Sequence, residues 1–198
     1  MAIPSTTDFA AARQAMIDSQ LRTSGINDPA VLKAMQRVAR EDHVPEIRRA
    51  AAYIDRAVPL DNGRFLAAPL FYGAAIEAAR PAMSDRVLIV DAGSGYLPAL
   101  LGPMLAEVET IDVEKAIGKG RKGGDYTLLF IDGAIEQFPD ALGKRLADGA
   151  RVVTGLVERG VTRLATGRKT AGQVAFQSRQ DMAIPILEEF ARAKEWAF

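Results

Sequence analysis

The stretch VLIVDAGSGYLPALLG, residues 87–102, decides the fold of this chain. A short apolar run leads through a glycine turn into the start of a helix. This arrangement is typical of parallel strands that form a crevice for a nucleotide-like cofactor. Gly93 and Gly95 permit a tight turn there, but Asp91 stands where the turn should begin with glycine, and Ile89 stands two residues earlier. The stretch is therefore either a cofactor loop or only a structural turn.

The match to a dinucleotide fingerprint is weak, because Pro98 replaces the third glycine that would follow Gly95. The next apolar run, residues 108–113, contains Asp112 near its end. An acid in that place is well set to bind the two hydroxyls of a ribose. The simpler interpretation is that Asp112 is an ordinary acid at the end of a strand.

The rest of the chain alternates strand and helix patterns, which predicts an α/β doubly wound sheet. Four short apolar runs have the character of parallel strands buried on both faces. A last segment alternates about the turn KTAG, which predicts an antiparallel hairpin at the C-terminal edge. The predicted strands cover residues 86–90, 108–113, 126–132 and 150–157, the hairpin covers 161–179, and the helices cover 8–24, 28–40, 69–79, 98–104 and 138–149.

The N-terminal part carries clear start and turn signals. Pro29 directly follows Asn27 and Asp28, either of which can cap a helix. The turn DNG between two short extended pieces predicts a β-hairpin. We expect one structural domain, in which a helical and hairpin region, residues 1–80, packs on an α/β core, residues 81–198.

Composition excludes several classes of function. The 198 residues are 48% apolar and 25% charged, with zero formal net charge and no cysteine. The charge gives no reason to expect binding to nucleic acid or to a membrane surface. The lack of cysteine excludes thiolate chemistry and suits the cytoplasm, and the single histidine, His43, excludes a histidine-rich metal site. We therefore predict no metal site.

Several blocks of the chain resemble the protein-L-isoaspartate O-methyltransferase family. The resemblance runs in order from about Met16 to Val153, and the C-terminal ILEEFARAKEWAF is also similar to that family's ending. It implies the Rossmann-like sandwich of S-adenosylmethionine-dependent methyltransferases, with S-adenosylmethionine as cofactor and damaged, isomerised aspartates of a protein or peptide as substrate. The blocks are MIDSQLRTSGINDPAVLKAMQRVAREDHVPE, AYIDRAVPL, VLIVDAGSGY and LLFIDGAIEQFPDALGKRLADGARVV.

Four departures from the family pattern concern the same pocket. Ala67 stands where the family has a serine, so no catalytic residue is assigned. Ile89 replaces the acid that faces the cofactor's ammonium, and Asp91 replaces the first glycine of the loop. Only twelve residues separate Asp112 from Asp125, where the family has a helix, a strand and a turn that cover the adenine. The fold should be shortened after its second strand.

The resemblance and its departures leave two main functional hypotheses. The first is a degenerate member, a pseudoenzyme with weak or no methyl transfer, in which Asp91, Gly93, Ser94, Gly95 and Asp112 are vestiges of the cofactor site. The second is an active methyltransferase on protein carboxylates or another substrate, in which Asp91 replaces the lost acid. A nucleotide-binding module unrelated to methylation has only the glycine turn in its favour. The exposed edge of a shortened sheet predicts a homodimer.

Other residues have simple interpretations. Asp132 ends a strand at the edge where a site would lie, but we expect it to cap the turn that follows. We expect His43 to be a packing residue, and Trp196 and Phe198 to cover a hydrophobic edge of the sheet. The basic, glycine-rich segment Lys115–Gly124 is interpreted as a solvated loop.

Overall fold

The computed structural model describes residues 8–118 and 124–192, which form an α/β fold around one six-stranded sheet. The strand order is β4-β3-β5-β6-β7-β8, with β3, β4, β5 and β6 parallel and the last two strands antiparallel. This is the predicted doubly wound sheet. The strands of this sheet are β3 (Arg86–Asp91), β4 (Glu107–Asp112), β5 (Tyr126–Ile135), β6 (Leu146–Glu158), β7 (Val161–Thr170) and β8 (Gln173–Asp181).

The inner strands form because their side chains are apolar on both faces. Val87 and Ile89 of β3 belong to one hydrophobic cluster, whereas Leu88 and Val90 belong to the cluster on the opposite face. All four are fully buried. A strand that must be covered on both sides reads as a continuous apolar run, which is why its sequence predicted it.

The sheet ends at β4, as the twelve-residue spacing predicted. Between β4 and β5 the described residues contain only one short helix, α5 (Val113–Ile117). The family pattern has a helix and a further strand in this part of the chain. Glu107 and Glu109 of β4 are exposed, and Arg86 and Arg145 form ion pairs with them. Charged side chains of this kind hinder the pairing of an edge strand with another chain.

Helices and a small hairpin precede the sheet in the chain. Asp28 caps α2 by accepting hydrogen bonds from two backbone amides, which confirms the start signal. The predicted DNG hairpin is also present. These elements are α1 (Phe9–Met16), extended by a π-helical turn (Ile17–Leu21) and a 3₁₀ turn (Arg22–Ser24), α2 (Pro29–Arg37), 3₁₀ turns at Arg40–His43 and Glu46–Ala51, β1 (Val58–Pro59), β2 (Phe65–Leu66) and α3 (Pro69–Ala79).

One hydrophobic cluster joins the N-terminal elements to the sheet. Met35 of α2 and Phe71 of α3 belong to the same cluster as Val87 and Leu128, and all four are fully buried. The boundary at residue 80 remains a prediction.

Two predicted helices differ from the structure. The helix expected at 98–104 begins earlier, as α4 (Tyr96–Leu101), and ends in a 3₁₀ turn (Gly102–Met104). The helix expected at 138–149 is only α6 (Asp140–Gly143), because Leu146 already pairs with Tyr126 as the first residue of β6.

The C-terminal hairpin is confirmed, and it makes β8 the second edge of the sheet. Ala171 and Gly172 form its two-residue turn, both with positive φ, which matches the twist of antiparallel strands. The chain then runs along the carboxyl edge of the sheet to a 3₁₀ turn (Glu188–Phe190). In the part of the chain that is described, no helix has the length and hydrophobicity to span a bilayer.

Candidate functional site

The crevice lies where β3 and β4 end side by side, with Asp91 and Asp112 paired in register. The glycine loop leads from β3 into α4. Gly93 has a φ of 99° and Gly95 a φ of 67°, so both adopt conformations that other residues rarely accept. The glycines therefore form the tight turn that the sequence predicted.

The Asp91 side chain folds back onto this loop. Its carboxylate accepts hydrogen bonds from the backbone amides of Gly93, at 2.9 Å, and Gly95, at 3.1 Å. The Ser94 hydroxyl accepts from the amide of Tyr96 at 3.1 Å. Three backbone amides at the start of α4 thus donate hydrogen bonds to side chains of the loop itself.

Partial burial raises the pKa of the Asp91 carboxyl above its usual range, although the two glycine amides oppose this shift. Hydrogen bonds from amides to a charged acceptor are among the stronger ones in proteins. Asp91 is therefore held by its own loop.

The tip of the β1–β2 hairpin covers the loop. Asn62 donates from Nδ2 to the carbonyl of Ala92 at 3.0 Å. A Cβ built on Gly93 would overlap this amide group. The DNG turn therefore contacts the glycine loop as well as connecting two strands, and the sequence did not predict this contact.

A second hairpin residue, Arg64, links three parts of the chain. Its Nη2 contacts Glu114 of α5 and also lies 2.6 Å from Oε1 of Glu189, in the 3₁₀ turn after β8. We call the set Asn62, Arg64, Glu114 and Glu189 the hairpin latch. It ties the hairpin to the element after β4 and to the C-terminal segment, on the same side as the glycine loop.

Asp112 also has a local partner. Its Oδ1 accepts from the backbone amide of Lys115 at 2.7 Å, and its Oδ2 lies 3.0 Å from the ammonium of the same residue. These contacts, led by the amide hydrogen bond, lower the pKa of Asp112. The carboxylate thus serves as the N-cap of α5.

Position 67 is buried. Ala67 is 2% exposed, its carbonyl accepts from the guanidinium of Arg40, and its amide donates to the hydroxyl of Tyr72 at 3.3 Å. His43, expected to be a packing residue, lies edge-on to Tyr96 and has Nδ1 2.8 Å from the carbonyl oxygen of Ser94. It therefore packs and also anchors the glycine loop.

The prediction that Asp132 caps a turn is wrong. The strand continues past it to Ile135, and the carboxylate is buried with no hydrogen-bond partner among the described residues. Burial, with repulsion from Asp91 as a second cause, raises the pKa of Asp132 to about 7. Nearby, Nη1 of Arg40 and the hydroxyl of Tyr96 are also buried without a partner in this part of the structure.

An open apolar groove lies next to position 67, with a volume of about 560 Å³. Phe65, Ala68 and Leu70 form one side, and the segment after β8, including Ile184 and Ile186, forms the other. This volume lies within the range of ligand pockets in proteins.

Residues 8–118 and 124–192 contain no group of three or more histidine and carboxylate side chains arranged to hold a metal ion. Half of the predicted solvated loop at 115–124, residues 119–123, lies outside the described residues, and its first three residues belong to α5. Trp196 and Phe198, predicted to cover a hydrophobic edge, lie outside them as well.

Two solved structures share the fold. One is a protein-L-isoaspartate O-methyltransferase from Plasmodium falciparum in complex with S-adenosyl-L-homocysteine, with a TM-score of 0.66 and 16% identity over 89% of this chain and 96% of that one. The other, also a protein-L-isoaspartate O-methyltransferase, has a TM-score of 0.67 and 15% identity over 87% of this chain and 64% of that one. The fold is therefore that of Rossmann-like methyltransferases.

Sequence comparison agrees with the fold. A protein-L-isoaspartate O-methyltransferase from Koribacter versatilis is 33% identical over 87% of this chain and 89% of its own length. Another, from Roseiflexus castenholzii, is 32% identical over 91% of this chain and 94% of its own length. The profile of the family "Protein-L-isoaspartate(D-aspartate) O-methyltransferase" matches residues 11–123. This chain therefore belongs to the protein-L-isoaspartate O-methyltransferase family.

Proposed function

We propose that this protein is a degenerate member of its family, with weak or no methyl transfer, which acts by binding other proteins. The observation that carries the proposal is the pair of hydrogen bonds from the amides of Gly93 and Gly95 to the Asp91 carboxylate. A cofactor that needs these amides must first displace Asp91, which costs the free energy of both bonds.

Three further features support the proposal. Ile89, at the position of the family's acid, is fully buried in β3, and so offers no carboxylate to an ammonium group. Asp112 is engaged as the cap of α5. Beyond β4 there is one short helix among the described residues where the family has an adenine-covering segment. These residues do not fit S-adenosylmethionine in the arrangement seen here.

Isothermal titration with S-adenosyl-L-homocysteine tests the proposal directly. We expect no saturable heat up to millimolar ligand, and no methyl transfer to an isoaspartyl peptide. A dissociation constant in the micromolar range, which corresponds to about 8 kcal/mol of binding free energy, would contradict it.

An active methyltransferase is the second candidate, and the apolar groove favours it. The groove borders position 67 through Ala68, so a peptide lying in it would reach the region of the family serine. In this hypothesis Asp91 rotates away from its loop to meet the cofactor. Binding of both S-adenosyl-L-homocysteine and an isoaspartyl peptide, with turnover, would support it over the first.

A homodimer through the edge of β4 is a further proposal. The outer edge of this strand faces no other strand of the described chain. Its Glu107 and Glu109 carry charge that opposes self-pairing at low ionic strength. Solution scattering in high salt should therefore give the mass of two copies, and a compact monomer at every salt concentration would contradict the proposal.

A further inference from the structure

We propose that the open face of β6, β7 and β8, beside the C-terminal end of α3, binds an acidic, extended segment of a partner protein. A groove of about 300 Å³ lies there, and Arg151, Arg168 and Arg179 line it, one from each strand. We call this surface the arginine face.

The three side chains lie on the same side of the sheet. Arg151 and Arg168 are direct cross-strand partners on β6 and β7. Arg179, on β8, donates from Nε to the hydroxyl of Thr166 on β7 at 3.0 Å, which fixes it across the groove. Phe176 of β8 packs on the opposite hydrophobic cluster, as the alternation of a strand requires.

The charges of this face are only partly compensated. Arg151 forms an ion pair with Asp85 and donates to the carbonyl of Arg80 at 2.8 Å. Arg168 and Arg179 are exposed and, within residues 8–118 and 124–192, have no carboxylate within 4.0 Å.

Elsewhere on β7, an arginine is neutralised by acids of both neighbouring strands. Arg163 of β7 lies 2.6 Å from Asp181 and 3.1 Å from Glu158. Like charges directly opposite each other destabilise a sheet. Arg168, which faces Arg151 across β6 and β7, has no such acid beside it in the described structure, and a bound anion would supply that charge.

The form of the partner follows from the strand beside the arginines. Because β8 is an edge strand, a polypeptide can add to it through main-chain hydrogen bonds. Alternate side chains of that polypeptide then lie on the arginine face, about 7 Å apart. Guanidinium groups match carboxylates in a planar, two-point geometry.

A nucleic acid fits the face less well. The lining contains no aromatic side chain on which a base would stack, and the chain has zero formal net charge. The observations therefore favour an acidic protein segment.

This inference gives the proposed binding role a partner of defined chemistry, but the two proposals can fail separately. Titration with S-adenosyl-L-homocysteine reports on the glycine loop. The arginine face lies beside α3 and the antiparallel strands, and its residues contact neither Asp91 nor the hairpin latch in the described structure.

Fluorescence anisotropy with a labelled decapeptide of alternating glutamate and threonine tests the inference. We expect saturable binding at 50 mM salt, and no binding of a matched lysine–threonine peptide. The Arg168→Gln/Arg179→Gln double variant should bind at least about tenfold more weakly, because two charge-assisted contacts are lost.

The matched control is Arg37→Gln/Arg48→Gln, which removes the same charge from two exposed positions outside the groove. It should change the affinity by less than about twofold. Both double variants should keep the wild-type circular dichroism spectrum, since the substituted side chains are exposed. Absent binding at millimolar peptide, equal weakening by the control, or tighter arginine-dependent binding of single-stranded DNA would each overturn the inference.

Discussion

The side chain of Asn62 occupies the space into which a Cβ at position 93 would project. Gly93→Ala should therefore displace Asn62 and also strain a backbone with a φ of 99°. We expect a loss of about 2 kcal/mol in the free energy of unfolding, measured by urea denaturation. In an Asn62→Ala background the same substitution should cost about 1 kcal/mol, because only the strain remains. Equal costs in both backgrounds would show that the two residues are not coupled.

Replacement of Asp91 separates the structural and functional roles of the glycine loop. Asp91→Gly removes the acceptor from two loop amides, so the protein should lose about 1–2 kcal/mol of stability. The freed amides should allow weak binding of S-adenosyl-L-homocysteine by calorimetry, where the wild type shows none. Asp28→Gly is the matched control, since Asp28 also accepts from two amides, at the start of α2. Ligand binding by the Asp28 variant would contradict the role given to Asp91.

Asp132 should make stability depend on pH near neutrality. Its pKa is about 7 in the folded protein against 3.8 for the free side chain. The folded state therefore retains the proton between these values, and the contribution of this group is complete below about pH 4 and lost as the pH rises through 7. We expect the free energy of unfolding to fall between pH 5 and pH 7, by at most about 1.4 kcal/mol per pH unit. Asp132→Asn should remove most of this fall, and the raised pKa of Asp91 contributes the remainder.

The control for this experiment is Asp148→Asn, at an exposed position, which should keep the wild-type slope. Comparison of each variant with the wild type at the same pH cancels the contribution of other groups. The carboxyls of Glu41 and Asp85 have lowered pKa values, so their contributions are lost only in acid, outside this window. A slope in Asp132→Asn that equals the wild-type slope would refute the assignment.

The hairpin latch should make a modest, salt-sensitive contribution to the free energy of unfolding. Arg64→Ala removes contacts to Glu114 and Glu189, whose side chains are partly exposed, so we expect a loss of about 1 kcal/mol at low salt. The loss should shrink in 1 M sodium chloride, because salt screens partly exposed pairs. Arg22→Ala breaks an exposed pair with Asp18 on one helix and should cost less than about 0.5 kcal/mol. Urea unfolding at the two salt concentrations measures both.

The arginine face should lower the stability of the protein when nothing is bound to it. Arg168→Glu places opposite charges across β6 and β7 in place of two like charges, and should raise the free energy of unfolding by about 0.2–1 kcal/mol. The same substitution at Arg48, which has no cross-strand arginine, should change it by less. Thermal unfolding of the two variants in low salt measures both changes in stability. If Arg168→Glu is less stable than the wild type, repulsion between Arg151 and Arg168 does not lower the stability of the protein.

Local patterns predicted most of the fold. The run of apolar residues in β3, the Asp28–Pro29 start of α2 and the turns at 61–63 and 171–172 all depend on neighbours in the sequence. The helix predicted at 138–149 failed because Leu146 pairs with a distant strand, and pairing overrode the local helical pattern.

The site was harder to predict, because its main contacts join remote positions. Asn62 reaches a carbonyl 30 residues away, and Arg64 reaches Glu189 across 125 residues. The sequence shows that Asp91 replaces the first glycine of the loop, but not that its carboxylate binds the loop's own amides. Asp132 was misinterpreted because nothing local shows that its strand continues, or that Tyr72 and Arg40 lie beside its carboxyl.

The strand order has a consequence for protein engineering. Because β4 is the terminal strand on this side, the strands between β4 and β8 all keep both of their neighbours although the sheet is short. An insertion between α5 and β5 would therefore extend the sheet outward without separating any existing pair. A helix–strand graft from a relative at this point, joined to the Asp91→Gly substitution, should strengthen the weak cofactor binding expected of Asp91→Gly alone.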